Sequence, residues 1–176
     1  MMDAPCGDAN WQFDAWETDG LLRAYVGLDA VRPVVELDAR RFCHHSNKRF
    51  VPWDLTACGN LPKLVLPVLD GKGNASETVP VDMVHVRDVI QHMPLAKGLA
   101  ALRNVARSEA KYLVATTFPR STNRDIKEGD MYQNNLCAEP FNLPQPRHCT
   151  PTHPEHESDD TCLWKINTAF KAALGV

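Results

Sequence analysis

Short apolar runs that stop at a carboxylate, each followed by a helical pattern, constrain this chain more than any other feature. Ala24-Tyr-Val-Gly-Leu-Asp29 is one run, Arg49-Phe-Val-Pro-Trp-Asp54 a second and Val81-Asp-Met-Val-His-Val-Arg-Asp88 a third. The opening Met1-Met-Asp-Ala-Pro-Cys-Gly-Asp-Ala-Asn-Trp11 reads as the end of a buried strand entering a tight acidic turn, with the strand itself nearly absent. Strands buried on both faces read as continuous apolar runs. Their alternation with helices implies a parallel sheet.

The helices follow from spacing. Val31 to His44 carries Val34, Val35, Leu37 and Phe42 among charged residues, and Leu95 to Ser108 carries Leu95, Leu99, Leu102, Val105 and Ala106. Lys111-Tyr-Leu-Val-Ala-Thr-Thr-Phe118 is rich in β-formers and predicts a central strand. Leu163-Trp-Lys-Ile166 predicts a late strand, with a short helix to Leu174. The expected fold class is therefore α/β, a doubly wound and mostly parallel sandwich with a truncated first strand. The 176 residues suit one domain over residues 1–176.

Two stretches are irregular. Thr56 to Pro80 holds Gly59, Gly71 and Gly73 and reads as an insertion. Its Leu64-Val-Leu-Pro-Val-Leu69 fits a strand, which Pro67 confines to an edge. Pro119 to Thr161 is long and rich in Pro, Asn and His. A loop of that length in a compact domain is functional or disordered.

Charge narrows the partners. A net charge of −3 without a basic patch gives no electrostatic basis for nucleic acid or acidic membranes. No apolar run approaches the roughly 20 residues that span a bilayer, and no secretory signal is visible. The six cysteines form no C-x-x-C pair and read as reduced thiols in a cytoplasmic protein.

The strand ends gather acids: Asp3 with Asp8, then Asp29, Asp54 and Asp88. Ligands of open α/β sheets bind outside the carboxyl ends of the strands, so all five acids are expected around one crevice. A dinucleotide needs a glycine-rich turn for its pyrophosphate. Here Gly7 stands alone beside Asp8 and Trp11, and like charges would repel a phosphate. S-adenosylmethionine fits better. It has no phosphate, and its sulfonium, ammonium, ribose hydroxyls and adenine amino group all suit carboxylates.

The chain resembles class I S-adenosylmethionine-dependent methyltransferases, and within them a small subgroup with an Asp-Ala-Pro-Cys-Gly-Asp first loop. The resemblance runs through Asp3-Ala-Pro-Cys-Gly-Asp-Ala-Asn-Trp11, Tyr25-Val-Gly-Leu-Asp29, Phe50-Val-Pro-Trp-Asp-Leu55, Val86-Arg-Asp-Val-Ile-Gln-His92 and Thr116-Thr-Phe118. It continues over Asn123-Arg-Asp-Ile126, Asn135-Leu136, Pro140-Phe141 and Leu163-Trp-Lys165. It implies that Asp3 and Gly7, with Ala4, Pro5 and Cys6 between them, meet the methionine part of the cofactor. It further implies that Asp29 takes the ribose hydroxyls, that Asp54 and the Leu55 backbone take the adenine, and that Arg87 and Asp88 flank the sulfonium. His92 would lie one turn on. Pro5 stands where the wider class has its first glycine. The elements that cover the cofactor in that class are expected to be missing ahead of Met1.

Asp88 and His92 are four apart and would share one helix face, either with one of them a base or a substrate orienter or as a capping acid and a satisfied histidine. Trp11 fits a core aromatic or a wall of the methyl site. Asn123 and Asp125, in the acceptor-side stretch 119–161, are the expected substrate contacts. His148, Cys149, His153, His156 and Cys162 offer metal-ligand types in no strong zinc spacing, so a surface loop without metal is expected. Arg40-Arg41 and His44-His45 read as a solvated helix end. The expected activity is methyl transfer to a small molecule. Alternatives are a non-catalytic methyltransferase-like binding domain, a nicotinamide-dependent reductase and a zinc-stabilised module.

Overall fold

The computed structural model describes residues 1–16, 22–62, 64–68, 75–79, 81–152 and 159–176. The elements run β1 (Met2–Asp3), α1 (Asn10–Trp16), β2 (Tyr25–Asp29), α2 (Arg32–Arg41), β3 (Lys48–Pro52), β4 (Leu64–Val68), β5 (Ala75–Val79) and β6 (Met83–Val86). A 3-10 turn at Ile90–His92 follows, then α3 (Leu95–Arg107), β7 (Tyr112–Thr117), β8 (His148–Pro151), β9 (Asp160–Lys165) and α4 (Thr168–Ala173).

Seven strands form one sheet in the order β3-β2-β1-β6-β7-β9-β8. β1, β2, β3, β6 and β7 are parallel, whereas β9 runs antiparallel to both β7 and β8. The sheet is thus the mostly parallel, doubly wound one expected, with the reversed strand at Leu163. Although β1 is two residues long, it is the centre of the parallel half. Asp3 lies in register with Gly27 on one side and His85 on the other. That register brings the carboxyl ends of β1, β2 and β6 to one edge.

Strand alternation divides the core in two. Met2, Val26, Leu28, Val84, Val86, Leu113, Ala115 and Trp164 face α3 and α4. Along α3, Ala101, Leu102, Val105 and Ala106 form the buried stripe of an amphipathic helix. Burying one such leucine contributes roughly 1.5–3 kcal/mol. The opposite face packs Cys6, Phe13 and Tyr25 with Phe42 and Phe50.

Local differences from expectation have physical causes. α2 ends at Arg41 rather than His44, because Phe42 turns out of helical geometry and its carbonyl accepts from the His45 amide. β4 and β5 form a separate antiparallel pair, in which Pro67 faces Ser76. Both strands of a lone pair are edges, which suits the proline. The expected strand's last residue, Leu69, and Gly71, Gly73 and Pro80 lie outside the described residues.

The expected loop 119–161 contains a strand, β8, at the sheet edge. Cys149 and Cys162 sit directly opposite each other on β8 and β9 and are joined as a disulfide, with Cα atoms 4.1 Å apart. The reading of every cysteine as a reduced thiol is therefore corrected. Strand pairing brings together two residues that sequence leaves 13 apart. Cys6, Cys43, Cys58 and Cys137 are free. Among the described residues no helix is long and apolar enough to cross a membrane.

Candidate functional site

The turn after β1 is built into the sheet on both sides. The Ala4 amide donates to the His85 carbonyl at 2.9 Å, and the Cys6 amide to the Leu28 carbonyl at 2.8 Å. Gly27 makes room for this. A Cβ there would lie 2.8 Å from the Phe50 ring and 2.9 Å from the Cys6 sulfur. Gly7 follows with φ +55°, and a Cβ on it would meet nothing within 4 Å. The turn therefore has open space at its apex.

Asp29 ties this turn to the next. Its Oδ2 accepts from the Gly7 amide at 3.1 Å and its Oδ1 from the Val31 amide at 2.8 Å. Each carboxylate oxygen has about two lone-pair sites, so each retains capacity for a ligand hydroxyl. Asp8 accepts from the Asn10 amide and side chain. Arg41 donates to the Asp8 carbonyl at 3.0 Å and to Asn10 Oδ1 at 2.8 Å. The arginine expected in a solvated helix end thus clamps the turn.

Asp3 does not join the other acids in the crevice. It is fully buried beneath the turn. Its Oδ2 accepts from Gln12 Nε2 and the Tyr25 hydroxyl, both at 2.9 Å, and its Oδ1 lies 2.7 Å from His85 Nδ1. The cause is register: Asp3 points to the α1 side, where Gln12 covers it. Burial, and next the Asp3 charge, push the Tyr25 hydroxyl pKa upward, so Tyr25 remains a donor. Burial followed by Asp3 and Asp29 likewise raises the Cys6 thiol. Ala4 and Cys6 are buried and Pro5 half-buried, leaving Gly7 and Asp8 as the exposed part of the turn.

Asp54 is exposed past β3, and its Oδ1 accepts from the Thr56 amide and hydroxyl, each at 2.8 Å. Leu55 is buried beside it, its carbonyl held at 2.8 Å by Asn104 of α3. The Trp53 amide donates to the Asp29 carbonyl at 2.8 Å, which ties this loop to the end of β2.

Asp88 lies past β6 with φ +52°. Its amide donates to Thr116 Oγ1 at 3.2 Å, and its carboxylate meets Gln91 Nε2 and Arg87 Nε, each at 3.2 Å. His92 is exposed at the end of the 3-10 turn. The expected shared helix face is therefore corrected: Asp88 stands before that turn in left-handed backbone. The Arg87 guanidinium lies 4.6 Å from the Trp11 ring centroid. Trp11 is 38% exposed and meets His85 edge-on, so it is not a core aromatic.

Asn123 and Asp125 act on backbone. Asn123 donates to the carbonyls of Asn135 and Glu139 and accepts from the Asn135 amide. Asp125 accepts from the Leu95 amide at the start of α3. The Tyr132 amide reaches the Gln91 carbonyl, and burial pushes the Tyr132 hydroxyl up to about 12. Both polar side chains therefore shape the loop beside Asp88.

Of the His and Cys residues expected in a surface loop without metal, Cys149 and Cys162 instead lie on the paired strands β8 and β9 and form the disulfide, with Asp160 close by. His153 and His156 lie outside the described residues. The sequence points to no site role for His85, Gln12, Tyr25 or Arg41. Only His85 left a signal, as a polar residue inside the apolar run Met83-Val-His-Val86.

The sheet order and the reversed strand near its edge decide the fold class. This is a Rossmann-like methyltransferase fold. Among solved structures the chain is similar to magnesium protoporphyrin IX methyltransferase of Synechocystis PCC 6803 with bound S-adenosylmethionine, at TM-score 0.59 and 16% identity over 93% of this chain and 68% of that one. It is also similar to an O-methyltransferase of neocarzinostatin biosynthesis, solved with S-adenosylmethionine and 2-hydroxy-5-methyl naphthoic acid, at 0.61 and 14% over 93% and 48%. A protein described as a pericyclic reaction enzyme matches at 0.63 and 11% over 94% and 42%. The chain thus spans from about two-fifths to two-thirds of these neighbours. Neither a scan against protein-family models nor a search of curated proteins gives a match. One fold here serves different chemistries, so function must be argued from the site.

Proposed function

We propose that the chain binds S-adenosylmethionine at the carboxyl edge of the sheet and transfers its methyl group to a small molecule. The observation that carries this reading is the Gly7–Asp29 junction, where an open turn meets a carboxylate with unused acceptor capacity. The residues fit the cofactor. Asp29 accepts the ribose hydroxyls, Asp54 and the Leu55 backbone receive the adenine, and the Gly7 apex admits the methionine part. The exposed acids favour the cationic groups and disfavour a phosphate ligand. Asp3, with His85, Tyr25 and Gln12, holds the turn from below.

When bound, the cofactor supplies an electrophilic methyl on a sulfonium, which becomes a thioether as a nucleophile takes the carbon. Asp88, fixed by Thr116, Gln91 and Arg87, faces that position, and His92, exposed at the end of the 3-10 turn that follows, is the group that orients the acceptor or takes its proton. Positioning alone contributes much of the rate of such an in-line displacement. Asn123 and Asp125 shape the acceptor-side wall. Neighbours solved with S-adenosylmethionine support the cofactor, and the naphthoic acid in one of them supports a small acceptor.

A second reading, a binding domain without turnover, is favoured by the inward placement of Asp3. Calorimetric titration with S-adenosylmethionine and S-adenosylhomocysteine, with NADH as control, tests the proposal. Micromolar binding of the first two alone is expected. A folded protein that binds neither would sink it, and binding without turnover across an acceptor screen would favour the second reading.

A further inference from the structure

Among the described residues, one half of the sheet has an open face. On the α3 side Val84, Val86, Leu113, Ala115, Cys162 and Trp164 are buried. On the α1 side Met83, Val114 and Thr161 are only half-buried, and Thr150 is exposed. A mostly parallel sheet normally covers both faces. A groove of about 620 Å³ crosses this half, within the range of small-molecule sites. Trp11, Met83 and Val114 give it apolar walls, and Thr150 and Thr161 contribute hydroxyls.

Charge then selects the occupant. Arg87 lines the groove and no carboxylate does so among the described residues, while His85, also on the lining, is paired with Asp3 beneath the turn. Asp88 meets the guanidinium through Nε, so the terminal nitrogens are the donors left to present as a fork. The guanidinium stacks on Trp11, which extends a flat surface from the cation. A planar fork beside flat apolar walls suits a carboxylate on an aromatic ring. A single arginine without a glycine-rich turn suits a phosphate ester poorly.

We propose that this groove binds a flat aromatic carboxylic acid, with its ring along Trp11, Met83 and Val114 and its carboxylate on Arg87. Binding rests on the groove alone; the acid's role as methyl acceptor rests on the methyl-transfer reading. The groove reaches the proposed methyl site at Arg87, which adjoins Asp88.

The test is titration of the whole chain, without S-adenosylmethionine, using 2-naphthoate and its neutral analogue naphthalene-2-carboxamide. The naphthoate binds at least tenfold more tightly than the amide, and Arg87→Met reduces that preference at least fivefold. Val114→Trp fills the groove and weakens naphthoate at least tenfold while S-adenosylmethionine affinity stays within twofold. Circular dichroism and melting confirm that each variant folds. Equal affinity for acid and amide, or naphthoate binding that both variants leave intact, would overturn the inference. So would competition of naphthoate with S-adenosylhomocysteine, which would put the acid in the crevice. A dimer that Val114→Trp dissolves would assign the face to a second copy and overturn it as well. Naphthoate binding with no S-adenosylmethionine binding would leave this site standing and remove the methyl-transfer reading.

Discussion

Replacing Asp29 with alanine separates two roles that the structure gives one carboxylate. The side chain holds the Gly7 amide at 3.1 Å and the Val31 amide at 2.8 Å, so its loss frees two donors at the base of the turn. A hydrogen bond to a charged acceptor contributes about 1.5–3 kcal/mol, and water recovers part of that at a partly buried site. The expected stability loss is about 2 kcal/mol, or a fall in Tm of about 4–8 °C for a chain of this size. The same carboxylate is assigned two ribose hydroxyls. Their loss weakens S-adenosylmethionine binding by about 1.4 kcal/mol or more, at least tenfold.

Differential scanning calorimetry reads the first effect and isothermal titration the second. Arg41→Gln is the control. It removes the clamp on Asp8 and Asn10 while sparing the carboxylate, and affinity changes less than about threefold, under ~0.7 kcal/mol. If Asp29→Ala lowers Tm but binds cofactor within threefold of the parent, the carboxylate serves the turn alone and the ribose assignment is wrong.

Three further outcomes follow from packing and burial. Gly27→Ala drives a Cβ to 2.8 Å from Phe50 and 2.9 Å from the Cys6 sulfur. It costs about 1–3 kcal/mol on thermal melting and weakens the cofactor turn with it; an unchanged Tm would contradict the packing argument. Asp38 is buried with one oxygen unsatisfied, and burial raises its pKa above the usual carboxylate value. Between the ordinary and the raised value the native state holds a proton that the unfolded chain has lost, so stability falls as pH rises through that window. Asp38→Asn is therefore stabilising by about 1 kcal/mol at pH 7, with the advantage shrinking towards acid pH, as melts across pH would record. For the thiols, iodoacetamide labels the exposed Cys43 and Cys58 in the native protein. Cys6 stays unlabelled until unfolding, because burial and neighbouring carboxylates hold its thiol protonated; native labelling of Cys6 by mass spectrometry would refute this.

Sequence by itself determined the parallel sheet, because apolar runs such as Tyr25-Val-Gly-Leu-Asp29 are strands only if both faces are covered. It also determined which chain segments meet at the site, since strands that run parallel bring their carboxyl ends to one edge. Asp29, Asp54 and Asp88 were legible for that reason. The tertiary structure decided which way each side chain points. Asp3 occupies a strand end like the others, yet register turns it under the turn onto His85, Tyr25 and Gln12, 82, 22 and 9 residues away. Such partners share no local spacing, so no periodicity could pair them. Asp88 and His92 were four apart in sequence, but a left-handed residue and a 3-10 turn cancelled the helical geometry that spacing assumed. The bond between Cys149 and Cys162 and the groove beside Arg87 arise the same way, from strands brought together by the sheet. Local pattern fixes what an element is and which face it buries, whereas contacts between distant elements depend on register, and register is a property of the folded sheet.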